Sequence, residues 1–86
     1  MSGQSILTTL GVLGIDAGGT YTDLVFLSGE DFTREAKIKV PTLSWDITTT
    51  IENGIKEIIR KIAPERIKAI NLATTFATNA IVENRL

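Results

Sequence analysis

The apolar positions of this chain fall into blocks of different period. Residues 12–15 (Val-Leu-Gly-Ile) form a largely apolar run that stops at Asp16, the pattern of a strand buried on both faces. Ala17-Gly18-Gly19-Thr20 reads as a turn, and residues 21–27 return as a second strand through Leu24, Val25, Phe26 and Leu27. A turn cluster, Ser28-Gly29-Glu30-Asp31, leads into a third strand over residues 32–40. There the period becomes two, with Ala36, Ile38 and Val40 on one face and Arg34, Lys37 and Lys39 largely toward water. That alternation predicts a half-exposed strand or a sheet edge.

Pro41 ends this strand, and the period then lengthens. Ile47, Ile51, Ile55, Ile58 and Ile62 recur at the spacing of one helix face. Ser44 is the expected N-cap, with Asp46 meeting the helix dipole and Trp45 stapled to the first turn. Thr48-Thr49-Thr50 and Gly54 lower intrinsic helicity, so tertiary packing must hold the helix, and Pro64 closes it. Residues 69–73 (AINLA) predict a fourth, buried strand. Thr74-Thr75 opens a segment over 76–86 that has a helical pattern, with Ala77, Ala80 and Ile81 on one side.

The predicted fold class is therefore α/β, in the order β-β-β-α-β-α. The first three strands are antiparallel, and the crossover helix returns the chain to a strand parallel to the first. Residues 1–10 are expected to be a flexible leader and 11–86 a single, partial N-terminal domain of a longer enzyme. Apolar surface left for the rest of that protein would favour self-association.

Composition narrows the function classes. Nine Lys and Arg against ten Asp and Glu leave a formal charge of −1, without the basic excess of a nucleic-acid binder. No apolar run approaches the ~20 residues that span a bilayer, so the expected location is the cytoplasm. The chain has no Cys and no His, which removes thiolate or imidazole metal sites and His-based acid–base chemistry from these residues.

The chemistry gathers in Gly14-Ile15-Asp16-Ala17-Gly18-Gly19-Thr20-Tyr21-Thr22-Asp23. Two glycines permit positive φ and let a ligand approach the backbone. The N–H groups of Gly18, Gly19 and Thr20 are candidates for an anion nest, with the Thr20 and Thr22 hydroxyls at its rim. Asp16 is the candidate ligand for Mg²⁺, a hard cation that prefers oxygen. Asp23 reads first as a structural residue. The competing reading is an ordinary hairpin with no ligand at all. A Walker loop is excluded because no Lys follows the glycines, and a dinucleotide fingerprint because a strand follows the turn. Thr74 and Thr75, at a parallel-strand end and a helix start, are a second candidate contact for the same ligand, although one of them serves equally as a cap.

The element order resembles the first half-domain of the actin-like ATPase fold. Gly14 to Asp23 is similar to the opening motif of the hydantoinase A/oxoprolinase family, commonly G-[IV]-D-x-G-G-T-F-T-D. Lys39-Val40-Pro41-Thr42 resembles that family's K-V-x-T junction, and Thr74-Thr75-Phe76-Ala77-Thr78-Asn79-Ala80 resembles its second motif. Leu72 and Ala73 stand where the family usually has His-Gly. The resemblance spans residues 12–86. It implies an ATP- and Mg-dependent enzyme that opens small cyclic amides, or a related carboxylase subunit, completed by a C-terminal lobe and a second subunit. On that implication these residues grip nucleotide phosphate and are catalytically silent alone. Two other readings stand beside it: a sugar or acyl kinase of the same superfamily, and a non-enzymatic α/β interaction module.

Overall fold

A computed structural model describes residues 9–74. Strand β1 (Gly11–Ala17) is followed by β2 (Tyr21–Ser28), β3 (Thr33–Pro41), helix α1 (Ile47–Ile58), a short 3-10 turn (Pro64–Arg66) and β4 (Ile67–Thr74). The sheet order is β3-β2-β1-β4. β1 pairs antiparallel with β2 and parallel with β4, and β2 pairs antiparallel with β3. This is the mixed α/β arrangement the periodicity predicts. Thr75, the segment 76–86 and the first eight residues of the expected leader lie outside the described residues.

One face of the sheet carries the core. Leu13 and Ile15 of β1, Leu24 and Phe26 of β2, and Ala36 and Val40 of β3 pack beneath Ile58 and Ile62. Each large side chain buried here contributes about 1.5–3 kcal/mol. The face of α1 that meets the sheet is not centred on the isoleucine stripe. Its buried line is Thr50, Gly54 and Ile58, while Ile51 and Ile55 are half-buried beside it. Gly54 sits so close to Leu24 that a Cβ would overlap that side chain. The glycine that weakens the isolated helix is thus what lets the helix approach β2.

The N-cap is Asp46, not Ser44. Its carboxylate accepts from the Thr49 N–H at 3.0 Å and from the Thr49 hydroxyl at 2.7 Å. These two bonds, the hydroxyl's first, hold the Asp46 carboxyl below its ordinary pKa. Trp45 is 81 % exposed and staples nothing.

The expectation of a buried fourth strand also fails. Ile70 and Leu72 of β4 stand beside Leu13 and Ile15 on the α1 face, yet each is 53 % exposed. α1 lies over β2 and β3, so β4 is paired along its backbone but uncovered by that helix. Among the described residues no helix is long and apolar enough to cross a membrane.

Candidate functional site at the turn end of the sheet

β1, β3 and β4 run the same way, so their C-terminal ends meet at one edge of the sheet. The register places Ala17 beside Thr22 and Thr74, and Thr22 beside Val40. The β1–β2 turn lies at this end, and the link from β3 into α1 starts there. Open α/β sheets bind ligands outside the carboxyl ends of parallel strands.

Within the turn, the Gly18 N–H donates to the Tyr21 carbonyl at 3.1 Å. It closes the hairpin, so its proposed place in an anion nest is corrected. Neither Gly18 nor Gly19 takes positive φ; among the described glycines only Gly29 does, at 75°. Space is the constraint instead. A Cβ on Gly18 would lie 2.9 Å from the Tyr21 carbonyl oxygen, whereas a Cβ on Gly19 would meet nothing within 4 Å. Gly19 and Thr20 are the exposed tip.

Alternation divides the flanking residues between the two faces. Ile15 and Ala17 are buried on the sheet face that carries the core, and Asp16 between them is exposed on the opposite face. Thr22 goes to the α1 side, fully buried, with its hydroxyl 2.7 Å from that of Thr42. It is therefore not at the rim with Asp16, and its expected position is corrected. Thr74 ends β4 beside Ala17, half-buried.

Asp23 does join Asp16. The two are direct cross-strand partners, and Lys39 is the next partner along the row. Lys39 Nζ is 3.7 Å from Asp23 Oδ1, an oxygen that is buried and otherwise without a hydrogen bond. Lys39 also lies over the Tyr21 ring, 5.3 Å from its centroid. Lys39 offsets the charge of Asp23, and Asp16 keeps an exposed carboxylate on which a cation would relieve the repulsion between the two directly opposed acids. Such a site suits Mg²⁺, which keeps several waters and takes one or two carboxylates; among the described residues no set of three or more acidic ligands forms. The signal for Asp23 was in the sequence, since positions 16 and 23 are symmetric about a turn centred on Gly19 and Thr20.

From this pair a trough of about 480 Å³ crosses the face opposite α1. Gly14 and Val25 line it, and Arg34 and Lys37 line it too.

The fold and its turn end define a small mixed α/β domain whose parallel strand ends gather around a glycine hairpin. The chain matches the family model described as the hydantoinase/oxoprolinase N-terminal region over residues 12–86. It belongs to that family. No curated protein sequence matches the chain.

Proposed function

We propose that this chain is the phosphate-gripping region of an ATP-dependent enzyme of the hydantoinase/oxoprolinase type, built as the first half-domain of an actin-like ATPase. The observation that carries the reading is Gly19: the fold leaves open space where its side chain would be, at the tip of a turn beside an exposed Asp16. A glycine the fold does not require keeps that space clear for a ligand that reaches the backbone. The Gly19 and Thr20 backbone and the Thr20 hydroxyl would meet phosphate oxygens. Asp16, backed by Asp23, would hold Mg²⁺ through its waters, and Thr74 would border the cleft. Bound there, Mg²⁺ would supply positive charge against the transferring phosphate. In the full enzyme the carbonyl oxygen of a small cyclic amide, or an enol oxygen in a related carboxylase, would attack the γ-phosphorus as ADP leaves, giving an activated phosphate ester. The second lobe, and in carboxylase relatives a second subunit, supplies the remaining groups.

The test is an NMR titration of the chain with Mg-ATP. Saturable shifts centred on Gly19 and Thr20, weakened by Asp16→Ala, are expected. A folded chain whose turn amides do not move would overturn the reading.

A further inference from the structure

Residues 39–42, Lys-Val-Pro-Thr, are not themselves at the turn tip, yet each engages the strand that leaves it. Lys39 holds Asp23 and covers Tyr21. Val40 is buried opposite Thr22, and Pro41 pairs with Tyr21. Thr42 then makes two bonds, one to the turn and one to the strand that follows it. Its N–H donates to the Thr20 carbonyl at 2.9 Å, and its hydroxyl shares the 2.7 Å bond with Thr22.

We infer that this junction is the positioning element of the turn, and that the Thr42 hydroxyl sets how Gly19 and Thr20 are presented to phosphate. This rests on the phosphate-site reading. Within the turn itself, the bond from Gly18 to Tyr21 closes the base of the hairpin and leaves the tip to be oriented from behind. Thr42 fixes the peptide that follows Thr20 by engaging its carbonyl. The hydroxyl bond to buried Thr22 fixes Thr42 in turn, because a buried hydroxyl has a strong preference for a partner. The support continues into the helix. The Leu43 N–H donates to the Thr50 hydroxyl at 2.8 Å, and that hydroxyl donates to the Asp46 carbonyl at 3.2 Å. The tip, the junction and the first turn of α1 form one hydrogen-bonded unit, with Thr42 at its centre. Thr22, placed by its sequence among phosphate contacts, belongs to this support.

Thr42→Val keeps the branched shape and the backbone bond and removes only the hydroxyl. Thr42→Ser keeps the hydroxyl. Affinity for Mg-ATP and the ligand-free amide shifts of Gly19 and Thr20 are measured for both, with Ile62→Val as a variant that loses core packing far from the turn. The expected result for Thr42→Val is displaced Gly19 and Thr20 amides before ligand is added and an affinity about tenfold weaker, the scale of one lost hydrogen bond. Thr42→Ser and Ile62→Val should bind like the parent chain. A folded Thr42→Val with parental turn shifts and parental affinity overturns the inference. If the parent chain itself fails to bind, the phosphate reading falls. The ligand-free shifts then decide separately whether Thr42 positions the turn, and unchanged shifts overturn that as well.

Discussion

The two ends of the sheet use charge in opposite ways. At the end where β1 begins, Arg66 is buried, 4 % exposed, and its guanidinium meets partners along its edge and on one face. It grips Glu35 through two bonds of 2.9 and 2.7 Å, donates to the Thr9 carbonyl at 2.7 Å, and lies 5.1 Å from the centroid of the Phe26 ring. At the turn end, Asp16 stands exposed beside Asp23, and Lys39 answers Asp23 at a longer distance across a partly exposed surface. The closed pair ties the chain before β1, the start of β3 and the turn before β4 into one clasp. The open row leaves charge available at the place where three strand ends meet. One end of this domain is thus closed by a paired, buried charge, and the other keeps its charges at the surface.

Breaking the clasp should have the largest effect on stability. Arg66→Met removes three hydrogen bonds and leaves the Glu35 carboxylate without its ion-pair partner, a change worth about 3–5 kcal/mol when one member of a buried pair is lost. A urea unfolding curve measures it. Where the variant remains folded, its Gly19 and Thr20 amides should respond to Mg-ATP as in the parent, because the clasp lies at the far end.

A smaller effect comes from pH. The bond to Arg66, and after it the bond to Ser28, hold the Glu35 carboxyl below its ordinary value of 4.5. Near that value the unfolded chain binds more protons than the folded one, so stability rises with pH there. The contribution is complete above the ordinary glutamate value and is lost as pH falls through the lower folded value. Thermal midpoints should therefore hold steady from neutrality toward pH 5 and decline below it. Glu35→Gln should be less stable at neutrality and show a shallower acid decline. Asp46, lowered by its Thr49 bonds, leaves part of that decline in place.

The contrast between the ends also marks what the sequence discloses. Hairpin, helix and parallel return were legible because period two, period 3.6 and Gly-Pro punctuation are local signals. The exposed placement of Asp16 and Gly19 at the turn end was legible because a turn gathers its glycines and polar residues in adjacent positions. The clasp was not: Glu35 and Arg66 are 31 positions apart, and each looks like an ordinary surface charge in its own segment. The sheet-facing line of α1 was misjudged because Thr50 and Gly54 carry no hydrophobic signal, although one fits by its hydroxyl bonds and the other by its absence of a side chain. Thr22 was misplaced because a threonine near a glycine turn suggests a ligand contact, whereas strand alternation sends it beneath α1. β4 has the composition of a buried strand, but composition does not say whether a covering element lies over it.

The smallest stability effects sharpen the comparison most, and they separate two adjacent glycines. Gly18→Ala places a Cβ 2.9 Å from the Tyr21 carbonyl oxygen, so the hairpin must shift, at a cost of about 1–3 kcal/mol typical of overpacking. Gly19→Ala meets open space and needs no positive φ. It should leave stability unchanged or raise it by about 0.4–1 kcal/mol, because alanine has fewer unfolded conformations to lose. The same methyl group would occupy the approach to the tip, so the Mg-ATP response at Thr20 should disappear while the thermal midpoint holds or rises. That divergence distinguishes a glycine kept for a ligand from one kept for a turn. Should Gly19→Ala bind as the parent does, the open space at the tip has no bearing on phosphate, and the turn end would be as purely structural as the clasp.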